Sequence, residues 1–163
     1  MEKTVDQVGE NTPLQAEKII QLVSFRLGGE EFGVDILAVQ EIIRMQEITQ
    51  VPNSPHYIEG VINLRGKVIP VINLRKRLGL GMKEYDKSTR IIVVEMQDKI
   101  VGFIVDSVSE VLRVPASALE PPPQMVGNVQ EDYITAVGKM KDSLLILLDL
   151  SKVIGEDAHT AAA

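Results

Sequence analysis

Apolar and polar positions alternate over short stretches along most of this chain. In Ile19–Leu27, Leu22, Ser24 and Arg26 fall on one face and Val23, Phe25 and Leu27 on the other, the period of a strand. Gly28-Gly29-Glu30-Glu31 is a turn signal, and Phe32–Ile36 is the returning strand. The period then changes. Ala38, Val39, Ile42 and Ile43 match helical spacing, which predicts a short helix over 37–44 with Gln40, Glu41 and Arg44 outward. A short strand over 48–51 stops at Pro52, and 52–60 reads as a loop. Two β-branched runs, Val61–Leu64 and Val68–Ile72, flank Arg65-Gly66-Lys67 and predict a hairpin, with Gly66 supplying the positive φ at its tip. Pro70 has no N–H for a ladder, so the second strand is expected to be an edge there or to turn that position outward.

Leu74–Leu78 reads as a short basic helix closed by Gly79, and Leu80–Thr89 as a polar connector. Ile91–Met96 and Ile100–Val105 form a second predicted hairpin around Gln97-Asp98-Lys99. Val108–Val114 is extended, and Ala116–Leu119 is a helical turn. Ile134–Met140 and Leu144–Leu148 form a last hairpin, followed by a short helix over 151–154 that Gly155 caps. Residues 1–17 and 156–163 are aperiodic and are expected to be disordered tails around a domain spanning 18–155.

The two halves echo one another. Val71-Ile-Asn-Leu-Arg-Lys-Arg-Leu-Gly79 matches Leu147-Leu-Asp-Leu-Ser-Lys-Val-Ile-Gly155, and at the same offset Tyr57-Ile-Glu-Gly60 matches Tyr133-Ile-Thr-Ala136. A slightly shorter offset aligns Val39–Arg44 with Val108–Arg113. The repeat predicts two lobes of roughly 60–70 residues, a size at which short strands can close into a small barrel. Their seam would form a groove suited to recognition.

Composition narrows the function. Hydrophobic residues make up 45% of the 163 and charged residues 25%, enough for a buried core. The net charge of −6 and the 4% of aromatics argue against a nucleic-acid-binding barrel. Cys is absent, which removes thiol chemistry and fits a reducing compartment. The start lacks a secretory h-region and the apolar runs are far short of the ~18–20 residues that span a bilayer, so a cytoplasmic protein without direct membrane insertion is expected. One stretch reverses the acidic balance: Arg65, Lys67, Arg75, Lys76 and Arg77 lie in a segment with no acid, which suggests a docking surface.

Candidate chemistry is sparse. His56 sits in a loop and His159 in the tail, and no His or carboxylate spacing marks a metal site. Asp35 and Asp106 close matching Val-Asp steps; a carboxylate pair could do acid–base work, but strand ending or capping is the plainer role. A small barrel enzyme or ligand sensor using the inter-lobe groove is the alternative reading, and it would need convergent polar groups there. The expectation is no catalytic residues, no cofactor and no metal.

Three stretches carry a family resemblance: Phe32-Gly-Val-Asp-Ile-Leu-Ala-Val-Gln-Glu-Ile, Ile58-Glu-Gly-Val-Ile-Asn-Leu-Arg-Gly-Lys-Val-Ile-Pro-Val-Ile-Asn-Leu and Val101-Gly-Phe-Ile-Val-Asp-Ser-Val-Ser-Glu-Val-Leu. With them the chain resembles the CheW-type chemotaxis coupling proteins over roughly Gln21–Ile154. The resemblance implies an all-β fold of two SH3-like five-stranded barrels around a shared core, the first strand joining the second barrel. The expected division is lobe one at about 31–90 and lobe two at about 91–155 plus the strand 18–30. It implies a monomeric, non-enzymatic adaptor that joins the cytoplasmic tips of chemoreceptors to the regulatory domain of the histidine kinase CheA, in membrane-associated arrays. By motif, the receptor side would use Val39, Glu41, Gly60, Arg65, Gly66, Gly102, Val108 and Val111, with Arg65 meeting a receptor carboxylate. The kinase side would use exposed strands of the first lobe. Arg90 stands where the family often has an aliphatic residue.

Overall fold

The structure, a computed structural model, describes residues 18–122, 125–126, 129–140 and 142–155. The two expected tails lie outside the described residues. The chain forms β1 (Ile19–Leu27), β2 (Glu30–Asp35), a 3-10 turn (Ile36–Ala38), β3 (Val39–Arg44), β4 (Ile58–Leu64), β5 (Lys67–Asn73) and helix α1 (Leu74–Arg77). There follow β6 (Arg90–Met96), β7 (Lys99–Val105), β8 (Ser107–Pro115), a 3-10 turn (Ala116–Ala118) and β9 (Leu119–Glu120). The short β10 (Met125–Val126) and β11 (Val129–Gln130) pair with each other, and β12 (Ile134–Lys139) and β13 (Leu144–Leu148) lead to helix α2 over 150–155.

Two sheets result. One has the order β3-β6-β7-β5-β4 and the other β8-β1-β2-β13-β12-β9. They repeat strand for strand and pair for pair. Val39 opposes Val94 as Val108 opposes Phe25; Val93 opposes Gly102 as Ser24 opposes Gly33; Val71 opposes Gly102 as Leu147 opposes Gly33. Asn73 N–H donates to the Tyr57 carbonyl (2.8 Å) as Asp149 N–H donates to that of Tyr133 (2.9 Å). The first strand does sit in the second lobe, between β8 and β2. The expected boundaries do not coincide with the sheets, however. All of β2 belongs to the second sheet, because it runs parallel to β13, and β6 and β7 belong to the first.

The predicted helix over 37–44 is instead one 3-10 turn followed by β3, which pairs with β6 from Val39↔Val94 to Arg44↔Arg90. A bulge between Val39 and Glu41 breaks the strict alternation, so the apolar spacing imitates a helical period. The predicted strand over 48–51 is one bridge, Thr49 with Val61. Pro70 is not on an edge strand, since β5 lies between β4 and β7; but the pairing with β7 begins at Val71, one residue later.

The described residues form three apolar clusters. The largest is built from repeat counterparts of both halves, among them Val23 and Ile92, Ile58 and Ile134, and Leu74 and Leu150. It is the shared core. Each lobe keeps a smaller cluster of its own, around Ile62, Ile69 and Ile91 in one and Leu22, Leu145 and Leu147 in the other. Burial of these aliphatic faces is the main term holding the lobes together.

Each barrel is closed by chain that follows its first edge strand. In lobe one, Thr49 exchanges two backbone hydrogen bonds with Val61 of β4, at 2.9 and 2.8 Å. In lobe two, β9 pairs with β12. Closure leaves fewer free edges than an open sheet would.

Candidate partner-docking surface

The β4–β5 hairpin is tighter than its sequence suggests. Leu64 pairs with Lys67, so its loop is Arg65-Gly66 alone. Both residues have positive φ, 51° and 85°, as a two-residue loop matching the strand twist requires. Asn63 makes this tolerable: its Oδ1 accepts from Gly66 N–H at 3.0 Å, fixing the turn from within. The turn projects Arg65 outward with its side chain 70% exposed. Its guanidinium pairs with the Glu41 carboxylate of β3. Since β3 and β4 are the two edges of the first sheet, this ion pair crosses the closure of the barrel.

The other candidate residues divide. Val39 and Val108 are repeat counterparts, and both pack half-buried on the rim of the shared core. Val111, on β8, is half-exposed. Gly60 and Gly102 are buried. A Cβ on Gly60, whose φ is 150°, would lie 2.1 Å from the Thr49 carbonyl oxygen, so this glycine permits barrel closure. A Cβ on Gly102 would lie 2.7 Å from the Ile91 side chain, inside the first lobe. Arg90 donates to the carbonyls of Lys87 and Thr89 at 2.7 and 2.9 Å and is held by its own turn.

The basic stretch is largely neutralised internally. Besides Arg65, Arg75 pairs with Asp106, Lys76 Nζ lies 2.5 Å from Glu59 Oε1, and Arg77 stacks over Tyr57. Lys67 and Val68 stay exposed on the hairpin. The sequence showed the run of cations but not their carboxylates, which come from β3, β4 and the step after β7.

Asp35 and Asp106 have separate structural tasks. Asp35 caps the 3-10 turn, accepting from Leu37 N–H at 2.9 Å. Asp106 accepts from Gly28 N–H at 2.8 Å and from Arg75. Burial pushes the Asp106 carboxyl up, but the hydrogen bonds from Arg75 and Gly28 and the charges of Arg75 and Lys83 outweigh it and hold the group below its ordinary value. The Arg75 guanidinium is raised in turn, chiefly by its hydrogen bond to Asp106. Tyr85 shows the opposite balance. Burial, the Glu59 charge and a hydrogen bond to Glu59 push its phenol up to about 12, against the Asn73 amide, which donates at 3.3 Å. Among the described residues no group of three or more His, Cys, Asp or Glu could hold a metal ion.

A groove of about 750 Å³ opens elsewhere, where the end of β6 meets the second sheet. Ile19, Leu22, Ile36, Leu37, Met96 and Leu150 line it, and none of the eight motif-derived residues does. Leu37 stands at its rim 91% exposed. Its helical-looking neighbourhood hid this surface from the pattern of apolar residues.

A family model described as the CheW-like domain matches residues 21–158. The chain is similar to the chemotaxis protein CheW of Klebsiella aerogenes, 37% identical over 137 residues that cover 84% of this chain and 82% of that protein. It is similar to CheW of Thermotoga maritima, 37% identical over 148 residues, 89% of this chain and 94% of that one. Among solved structures it is similar to the scaffolding protein TtCheW from Thermoanaerobacter tengcongensis, with a TM-score of 0.79 and 38% identity, covering 85% of this chain and 89% of that one.

Proposed function

Since the chain belongs to the CheW-like domain family, we propose that it is a coupling adaptor of chemotaxis whose receptor-facing surface is centred on Arg65. It bridges chemoreceptors and the histidine kinase CheA, with no reaction of its own. The observation that carries the site is the rigid presentation of Arg65: a left-handed turn locked by Asn63 holds a guanidinium in solvent, paired with Glu41 of β3, the opposite edge strand of the sheet. A planar fork on a fixed turn suits a partner carboxylate. The half-buried Val108 and the half-exposed Val111 offer apolar contact to one face of a receptor-tip helix. Gly66 shapes the turn that carries Arg65, and the buried Gly60 and Gly102 support this surface from within the first lobe by letting chain segments pack closely.

The kinase's regulatory domain docks on exposed strands of the first lobe, where Ile42 and Val68 present apolar side chains to solvent. Binding both partners raises their effective concentration for one another. Among the described residues no helix is long and apolar enough to cross a membrane, and the adaptor works in the cytoplasm as a monomer recruited to receptor arrays.

An amide-shift titration tests this reading, with a receptor-tip fragment and a kinase regulatory domain added separately. Two distinct footprints are expected, one around Arg65, Val39 and Val108, the other around Ile42 and Val68. Absence of shifts with either, well above micromolar concentrations, would confine the likeness to the fold.

A further inference from the structure

Arg77 stands where the two repeats meet. It ends α1, and its repeat counterpart in α2 is Val153. The Val153 carbonyl accepts from Arg77 Nε at 2.8 Å, and the Lys152 carbonyl accepts from Nη2 at 3.1 Å. The guanidinium carbon lies 4.3 Å from the centre of the Tyr57 ring and 5.3 Å from that of Tyr133. Those tyrosines are counterparts too: each precedes the equivalent strand, β4 or β12, and each gives its carbonyl to the equivalent Asx residue, Asn73 or Asp149. Counterpart positions that touch one another, as 77 and 153 do, lie close to the axis of a two-fold relation. Arg77 therefore sits near the axis of the repeat, with an aromatic ring of each lobe near its guanidinium and second-lobe carbonyls bound to its donors.

We infer that Arg77 is an inter-lobe clamp that fixes the orientation of one barrel against the other. The shared apolar core holds the lobes together, but hydrophobic attraction has no direction and leaves their relative rotation weakly defined. A guanidinium supplies direction, because its donors are fixed in a plane and its faces favour aromatic rings. The surroundings fit the clamp. Val153 at the counterpart position keeps a second cation off the axis. Gly155, with φ of 63°, leaves room for the fork, since a Cβ there would lie 2.9 Å from Nη2. The Arg75–Asp106 pair, two residues earlier on α1, adds a second attachment reaching the β1–β2 turn through Gly28. Two directional attachments resist twist where one would permit it.

This goes beyond the adaptor reading and does not depend on which partners bind. Because the chain contains no Cys, spin labels can be placed without background at Lys67→Cys and Ser109→Cys, exposed positions in different lobes. Pulsed electron resonance then reads the distance between the barrels. In Arg77→Met and Arg77→Lys the distance distribution is expected to broaden, while the amide spectrum keeps the dispersion of folded barrels. An unchanged distribution in both folded variants would overturn the clamp. If either fails to fold, the wild-type Arg77 Nε proton decides: it should be ring-shifted and slow to exchange, and exchange as fast as that of a free surface guanidinium would also overturn it.

Discussion

Arg75 grips Asp106 with two hydrogen bonds, Nε to Oδ1 at 2.9 Å and Nη2 to Oδ2 at 2.5 Å, and both side chains are about 15% exposed. The pair joins the start of α1 to the step between β7 and β8, and the Gly28 N–H draws the β1–β2 turn onto the same carboxylate. A sequence of isolated surface charges is thereby converted into a seam between the lobes.

Replacing Asp106 by Asn keeps the shape but leaves Arg75 without its charge partner. A loss of roughly 1.5–3 kcal/mol is expected, the range for hydrogen bonds to charged groups. It should appear in urea unfolding as a lower midpoint at unchanged slope. The pH dependence has a definite sign. The folded carboxyl lies below its ordinary value, so its contribution is complete above about pH 4 and is lost as pH falls through the lower folded value. Asp106→Asn should flatten that acid limb, and an identical acid limb in the variant would refute the assignment.

Gly60→Ala tests whether this glycine serves closure or contact. The added methyl meets the Thr49 carbonyl in a backbone conformation that alanine avoids. A loss of about 1–3 kcal/mol is expected from the strain alone, before any partner is added. A variant of normal stability that merely bound receptor fragments poorly would shift Gly60 from the frame to the interface.

Arg65→Glu should behave in the opposite way. The side chain is mostly exposed, so losing its pair with Glu41 costs little stability, within about 1 kcal/mol. Affinity for a receptor-tip fragment should fall by tenfold or more, about 1.4 kcal/mol, when measured by calorimetry at low salt. Unchanged affinity would remove Arg65 from the surface.

Tyr85 gives a spectroscopic marker of the connector after α1. Its phenol is held up to about 12, above the ordinary 10.0. A folded value raised in this way favours the native state until the unfolded phenol begins to ionise, and that advantage is lost as pH rises from 10 through 12. An ultraviolet titration should show a late phenolate step that Tyr85→Phe abolishes. Its persistence in the variant would place the late step on another tyrosine.

The repeat was legible because the capping segments keep their identities: Asn73 and Asp149, Gly79 and Gly155, and Tyr57 and Tyr133 survive at one offset. The strands at the hairpins were legible from β-branched runs around turns. Lobe membership was not, since which strand lies beside β13 is a matter of tertiary pairing that alternation does not encode. Nor was β3, whose bulge gives Val39, Ile42 and Ile43 a helical rhythm. At the candidate surface, the motif pointed to Arg65 and Gly66 together, yet Asn63 as the lock of their turn and Glu41 as the partner of Arg65 emerge from contacts across the sheet.

The placement of β1 also sets a timetable. Strands β3 to β7 are contiguous in sequence and form a complete sheet, whereas β1 and β2 must wait for β8 and β13. On a ribosome, β1 therefore waits for β8 before it has both neighbours, and β2 waits for β13. Through most of synthesis the β1–β2 hairpin, with Leu22, Val23, Phe25 and Phe32 destined for burial, lacks the partners that will cover it. The first lobe can assemble while that hairpin remains open to misassociation. An adaptor whose working life is spent bringing other proteins together begins by needing its own early and late strands brought together.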